Sequence, residues 1–185
     1  MVFRNIAISG RIAVGSSSLA KALSLRLGWQ LRDAGQIFRD VTAQMGLNLE
    51  VDIDKAIGSR DDQIDREVDK KTIEILNQDH NSIVTSKLAG FLGKEAEGVL
   101  RVLVVCRIDD RVSRYSKDRG YPVEEAKRLL EEREDKDREK WERMYGKVDF
   151  FDPEIFHLVI DSGKLRVEEE VNLILRHLNL TQNLC

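Results

Sequence analysis

Short apolar runs recur along this chain and are separated by longer stretches of mixed polarity. Four of them lie at residues 5–9, 82–85, 100–106 and 156–160. Each has the length of a buried strand. The run at 100–106 is apolar at six of its seven positions, which favours burial on both faces of a parallel sheet.

Helical periodicity fills the intervals between these runs. Leu19, Leu23 and Leu27 recur every four residues and Gly28 follows them, so the pattern predicts a helix over residues 16–27. Similar patterns predict helices over residues 35–46, 52–78, 109–118, 122–145 and 167–178. Strands that alternate with helices predict an α/β protein with a parallel sheet of about five strands and helices on both faces.

Composition and charge narrow the classes of protein that this chain can represent. Its 185 residues suit one compact domain, and its formal net charge of -3 gives no overall basic field, so we expect no nucleic-acid partner. No apolar run approaches the ~20 residues that span a bilayer, and no signal peptide is visible. The two cysteines lack the spacing of a metal site. We therefore expect a cytoplasmic protein without a membrane partner.

A glycine-bounded loop follows the first predicted strand. Residues 10–17 have the outline of a phosphate-binding P-loop, G-x-x-x-x-G-K-[ST], but Ser16 stands where that loop has lysine. Its backbone N–H groups and the following helix N-terminus favour an anion. The pattern predicts contacts to the phosphates of ATP, with Ser17 as a ligand of Mg²⁺; a plain turn between strand and helix is the alternative. The predicted phosphate-binding residues are Gly10, Arg11, Ile12, Ala13, Val14, Gly15, Ser16, Ser17 and Ser18.

Six further segments resemble those of archaeal-type cytidylate kinases, in the same order. They are Asp33–Arg39 (D-A-G-Q-I-F-R), Asp62–Arg66 (D-Q-I-D-R), Ile83–Gly90 (I-V-T-S-K-L-A-G), Arg119–Ala126, Glu132–Gly146 and Phe156–Ser162. Each segment alone is weakly specific, whereas six in register are strongly specific. The resemblance covers about residues 5–178.

The resemblance implies a single P-loop nucleoside-monophosphate-kinase domain over residues 1–185, with a three-layer fold. Acceptor-binding helices would lie at about 35–78 and a helical lid at about 117–147. The implied reaction is phosphorylation of a nucleoside monophosphate, foremost CMP, by ATP and Mg²⁺, in a monomer. The implied acceptor-binding residues are Asp33, Gly35, Arg39, Asp65 and Lys87. The implied catalytic residues are Arg133, Arg138 and Lys87, with Arg111 or Arg114 as further candidates.

Three departures from the family pattern affect charged or metal-binding positions. Ser16 replaces lysine, Thr85-Ser86 replaces Glu-Gly, and Lys87 replaces arginine. Losing one charged contact at a transferring phosphate costs about 10²–10³ in rate. Two alternatives therefore stay open, a nucleotide-binding module with weak or no turnover and a kinase of the same fold with a non-nucleotide acceptor.

Overall fold

The computed structural model describes residues 2–46 and 62–182. Its core is a sheet of five strands, all parallel, in the order β2-β3-β1-β4-β5. The strands are β1 (Asn5–Gly10), β2 (Gln30–Asp33), β3 (Ser82–Thr85), β4 (Val99–Val105) and β5 (Leu158–Asp161). The predicted parallel sheet of about five strands is confirmed.

Seven α-helices lie in the described part of the chain. They are α1 (Ser16–Leu27), α2 (Ala34–Gln44), α3 (Asp62–Gln78), α4 (Ala89–Leu92), α5 (Ile108–Arg119), α6 (Val123–Tyr145) and α7 (Val167–Gln182), with a short 3₁₀ helix at Pro153–Ile155. Residues 52–61 of the predicted helix 52–78 fall outside the described residues. Among the helices that are described, none has both the length and the apolar character needed to cross a membrane.

The helices pack on both faces of the sheet, as predicted. In β1, Ile6 and Ile8 join the cluster that includes Leu19 of α1 and Ile174 of α7. Ala7 lies between them in sequence and joins the opposite cluster, with side chains from α2 and α3. The alternation follows from the two-residue period of a strand.

Strand β2 was not predicted, because its four residues, Gln30–Asp33, are mostly polar. Among the described strands it lies at the edge of the sheet and pairs with β3 alone, and its side chains are exposed or half-buried. An edge strand needs little apolar surface, so its hydrophobic signal is weak. Asp33 ends the strand and also caps α2, since its Oδ1 accepts a hydrogen bond from the Gln36 N–H at 2.9 Å.

The strand order places a crevice at the C-terminal end of β1. The chain passes from β1 towards one edge of the sheet to form β2 and β3, and then crosses to the other side for β4 and β5. Ligands of open parallel sheets bind where the order reverses in this way. The glycine-bounded loop starts at that point, directly after β1.

Candidate active site

The loop between β1 and α1 has a backbone that only particular residues allow. Gly15 has a φ of 95° and Ala13 a φ of 62°, both in the left-handed region. A Cβ at Gly10 would lie 2.6 Å from Cγ2 of Val14 and 2.8 Å from the carbonyl oxygen of Val104. The loop therefore folds tightly back on itself, and the first glycine is required by space rather than by its φ.

The N-terminus of α1 is open to an anion. The first turn, which begins at Ser16, contains no acidic residue, and among the described residues no side chain caps it. Its N–H groups and the positive end of the helix dipole favour a phosphate there. This arrangement agrees with the phosphate-binding loop expected from residues 10–18.

Two side chains that are distant from the loop in sequence fix its backbone by hydrogen bonds. Nη1 of Arg114 donates to the carbonyl oxygen of Val14 at 2.9 Å, and its Nη2 donates to the carbonyl oxygen of Ser162 at 2.7 Å. The Ser162 hydroxyl donates to the same Val14 oxygen at 2.6 Å. Sequence reasoning had Arg114 as a possible lid arginine and did not connect Ser162 with the loop. Both residues fix the loop's backbone.

A carboxylate of α6 joins the loop to α5. Arg111 of α5 is buried, donates to the carbonyl oxygen of Ile12 at 3.2 Å and forms an ion pair with Glu134 of α6. Arg11 of the loop lies 3.5 Å from the other oxygen of Glu134. Glu134, which belongs to the predicted lid, thus contacts one cation of the loop and one of α5.

Lys87 follows β3 and forms an ion pair with Asp137 of α6. Its Nζ lies 5.9 Å from the ring centroid of Trp141. Burial lowers the pKa of the Lys87 ammonium, and the Asp137 carboxylate opposes that shift. The segment is anchored beside β1, because the N–H of Gly90 donates to the Ser9 hydroxyl at 2.7 Å.

The phosphate loop, the start of α1, Lys87 and Arg114 line an open cleft of about 930 Å³. Predicted site residues on its wall are Gly10, Arg11, Ile12, Ala13, Gly15, Ser16, Ser17, Ser18, Gly35, Lys87 and Arg133. Val14, the remaining member of the predicted loop, is buried. Counted over the described residues, the wall carries six cationic side chains and one carboxylate, Asp118. Positive charge therefore surrounds the loop although Ser16 supplies none.

Four other predicted residues lie outside the wall of this cleft. Asp33 caps α2 as described above. Arg39 is exposed and donates to Oε1 of Gln36 at 3.1 Å. Asp65 pairs with Lys140 of α6. Arg138 lies 2.8 Å from Asp135 on the helix surface.

Helix α3, from the predicted acceptor segment, is bound directly to α6, from the predicted lid. Asp62, Asp65 and Asp69 face Arg143, Lys140 and Tyr145, respectively, through two ion pairs and one hydrogen bond. We call these six residues the α3–α6 clasp. Burial raises the pKa of Asp69 to about 6, against the hydrogen bond from Tyr145. No feature of either segment alone predicts this contact.

The donor set fits a magnesium ion that arrives with a nucleotide. Ser17 lines the cleft at the start of α1. Mg²⁺ in such sites takes one or two protein oxygens, and phosphates and waters complete its shell. Among the described residues, no group of three or more His, Cys, Asp or Glu side chains is placed to hold a metal.

A sequence profile of the cytidylate kinase-like family matches residues 5–164. The chain belongs to this family. It is 35% identical over 159 residues to a cytidylate kinase of Thermococcus sibiricus, covering 86% of this chain and 79% of the relative. It is 33% identical over 168 residues to a cytidylate kinase of Aeropyrum pernix, covering 91% of this chain and 95% of the relative. Membership of the cytidylate kinase-like family supports a nucleotide kinase activity.

Solved structures share the fold of this family member. An uncharacterized protein from Eubacterium ventriosum superposes with a TM-score of 0.73 at 15% identity, covering 95% of this chain and 98% of that one. A gluconokinase from Sinorhizobium meliloti superposes with a TM-score of 0.61 at 16% identity, covering 100% of this chain and 97% of that one. A shikimate kinase from Acinetobacter baumannii superposes with a TM-score of 0.57 at 15% identity, covering 99% of this chain and 96% of that one. The predicted P-loop kinase fold is confirmed, and the comparisons give no support to a module without turnover.

Proposed function

We propose that this protein transfers the γ-phosphoryl group of ATP to CMP. An oxygen of the CMP phosphate attacks the γ-phosphorus, the bond to the β,γ-bridging oxygen breaks, and ADP and CDP leave. The observation that carries the proposal is that the phosphate loop and Lys87 open into one cleft with a cationic wall. The identity with cytidylate kinases supports CMP as the acceptor.

The loop and α1 would bind the phosphates of ATP. The N–H groups at the start of α1 and the loop's left-handed residues form a concave surface of donors. Arg114 and Ser162 keep that surface in place through the Val14 carbonyl. A donor array that is fixed before the substrate arrives costs no reorganisation during transfer. Cations of the wall, including Arg11 and Arg133, would supply the charge that Ser16 does not.

Lys87 would bind the acceptor phosphate. It is the cation at the C-terminal end of β3, one strand away from the loop, so a phosphate bound to it lies on the loop's side of the sheet. Phosphoryl transfer depends mainly on positioning the two phosphates and neutralising their charge. Arg133 of α6 lines the same cleft and would neutralise charge on the transferring group. Arg138, exposed beside Asp135, would need to turn towards the cleft to assist it.

Magnesium would be held by Ser17 together with the phosphates of ATP. When bound, the ion neutralises phosphate charge and fixes the geometry of the triphosphate. The acceptor segment at 35–78 and the lid at 117–147 would close over both substrates and exclude water. We further propose that residues 1–185 act as one catalytic domain, as a cytoplasmic monomer.

A screen of acceptors tests the proposal. Purified protein with ATP and Mg²⁺ is incubated separately with CMP, UMP, AMP, GMP, shikimate and gluconate, and ADP is measured against a reaction without acceptor. We expect ADP formation with CMP well above the acceptor-free rate, with CDP as the second product. ADP formation only with a non-nucleotide acceptor, or with none, contradicts the proposal.

A further inference from the structure

A second pocket lies next to the main cleft, and the two share Lys87, Arg11 and Ile12 in their walls. It lies between the phosphate loop, α6 and residues 148–151, which follow that helix. Its apolar wall consists of Ile12, Trp141, Val148, Phe150 and Phe151. Nothing in the phosphate-transfer mechanism above uses these aromatic side chains.

The aromatic wall has a fixed shape. The ring of Trp141 lies 5.5 Å from that of Phe150 and 6.0 Å from that of Phe151, each pair edge to face. The Arg11 guanidinium covers the Phe151 ring at 4.8 Å from its centroid. Rigid aromatic walls of this kind suit a planar ring. The pocket measures about 120 Å³, and a cavity of roughly 150 Å³ holds benzene, so it fits a single ring better than a fused purine.

Four carboxylates of the described residues also line this pocket, and three of them are engaged, Glu134 with Arg111 and Arg11 as described above. Asp137 pairs with Lys87, and Oδ1 of Asp149 accepts a hydrogen bond from the Phe151 N–H at 2.9 Å. The Glu142 carboxylate is half-buried and has no hydrogen-bond or ion-pair partner among residues 2–46 and 62–182. Its oxygens are therefore not used as acceptors within the described residues, and a bound ligand can supply their donor. Glu142 therefore favours a ligand that brings an N–H group.

We propose that this pocket binds the base of the acceptor nucleotide and that Glu142 selects a pyrimidine with an exocyclic amino group. Lys87, at the junction with the main cleft, holds the phosphate of the same nucleotide. A cytosine amino group donates to the carboxylate, whereas the corresponding uracil carbonyl oxygen is repelled by it. This inference rests on the proposed kinase function and names the feature of the acceptor that the site reads.

Glu142→Gln, with Glu139→Gln as its matched control, tests the selectivity. Glu139 lies on the same helix, is exposed and does not line the pocket. The ratio of kcat/KM for CMP to that for UMP should fall at least tenfold in Glu142→Gln, since an amide can also donate to uracil, and should stay at the wild-type value in Glu139→Gln. Equal ratios in the two variants, with CMP turnover intact, overturn the pocket assignment and leave the kinase function standing.

Binding without turnover gives a second test. The chain has two tryptophans, Trp29 and Trp141, so Trp29→Phe makes Trp141 the sole tryptophan emitter. Saturable quenching of Trp141 by CMP, and weaker quenching by UMP, supports the pocket even if no acceptor is phosphorylated. Calorimetric binding of CMP that leaves Trp141 emission unchanged overturns the pocket, and absence of CMP binding overturns both proposals.

Discussion

The ammonium of Lys87 and the carboxylate of Asp137 form an ion pair between the end of β3 and helix α6. The same helix brings Glu134, one turn earlier, to Arg11 and Arg111 at the phosphate loop. One lid helix therefore places a carboxylate on the cations of both proposed phosphate sites. Substrate phosphates and lid carboxylates compete for the same positive charges.

Removal of the Asp137 carboxylate should strengthen acceptor binding and destabilise the fold. In Asp137→Asn the Lys87 ammonium loses its counter-ion, so a phosphate replaces no existing ion pair, and we expect the Kd for CMP to fall several-fold. Breaking a buried pair leaves a charge uncompensated, and with Lys87 partly exposed we expect a loss of roughly 2 kcal/mol in the free energy of unfolding. Calorimetry with CMP and chemical denaturation measure the two effects.

Asp135→Asn is the control for this prediction. Asp135 is on the same helix and pairs with Arg138 at the surface, where such pairs contribute little. It should leave CMP affinity and stability near wild type. If Asp137→Asn and Asp135→Asn have the same Kd for CMP and the same free energy of unfolding, the ion pair with Asp137 does not limit phosphate binding by Lys87.

Restoring the P-loop cation should tighten ATP binding. Ser16 begins α1 and faces the cleft, so Ser16→Lys puts an ammonium beside the proposed phosphate position. A new charge-assisted contact to phosphate contributes about 1.5–3 kcal/mol, and we expect the Kd for ATP to fall about tenfold or more. Ser16→Gln adds comparable length without charge. Equal affinity in the two variants would show that other cations already fill this role.

Sequence patterns predicted the sheet and the main helices because each of those elements has its own apolar period. They missed β2, whose polar residues need only one neighbouring strand, and α4, whose four apolar residues are too few to show a period. The phosphate loop was predictable because its residues are consecutive. Lys87 and Asp137 are 50 residues apart and Arg114 and Val14 are 100 apart, and no local pattern links residues that only the tertiary fold brings together.

The assignment of Arg39 to the acceptor stays a prediction. It is exposed on α2 and bonded to Gln36, near Gly35 on the cleft wall. Arg39→Ala should raise the Kd for CMP by about tenfold, the loss of one charged hydrogen bond, and change the Kd for ATP by less than twofold. Arg26→Ala, exposed on α1, is the control for lost surface charge. An equal loss of affinity for both nucleotides would count against the role.

Arg114 should act by positioning the loop. Its planar fork contacts two carbonyl oxygens, those of Val14 and Ser162, which a lysine ammonium cannot match in the same geometry. In Arg114→Lys we expect the Kd for ATP to rise about tenfold while CMP affinity stays within twofold. Arg107→Lys, in an exposed pair with Asp109, is the control. Equal weakening of ATP binding in both variants would show that the Arg114 guanidinium is not needed.

Asp69 should make stability fall as pH rises. Its pKa is about 6 in the fold against an ordinary 3.8, because burial disfavours the charged carboxylate. Between these two values the folded protein binds more protons than the unfolded chain, so the free energy of unfolding falls as the pH rises through that window and is level above it. The total change from this group is roughly 1–3 kcal/mol. Chemical denaturation from pH 4 to pH 8 measures it.

Two variants separate Asp69 from other groups in that pH range. Asp69→Asn keeps an acceptor for Tyr145 without a buried charge, so it should remove the decline and be more stable than wild type at pH 8. Glu67→Gln, on the same helix and partly exposed beside Lys70, should keep the wild-type slope. If the free energy of unfolding of Asp69→Asn falls with pH as steeply as that of the wild type, a group other than Asp69 causes the decline.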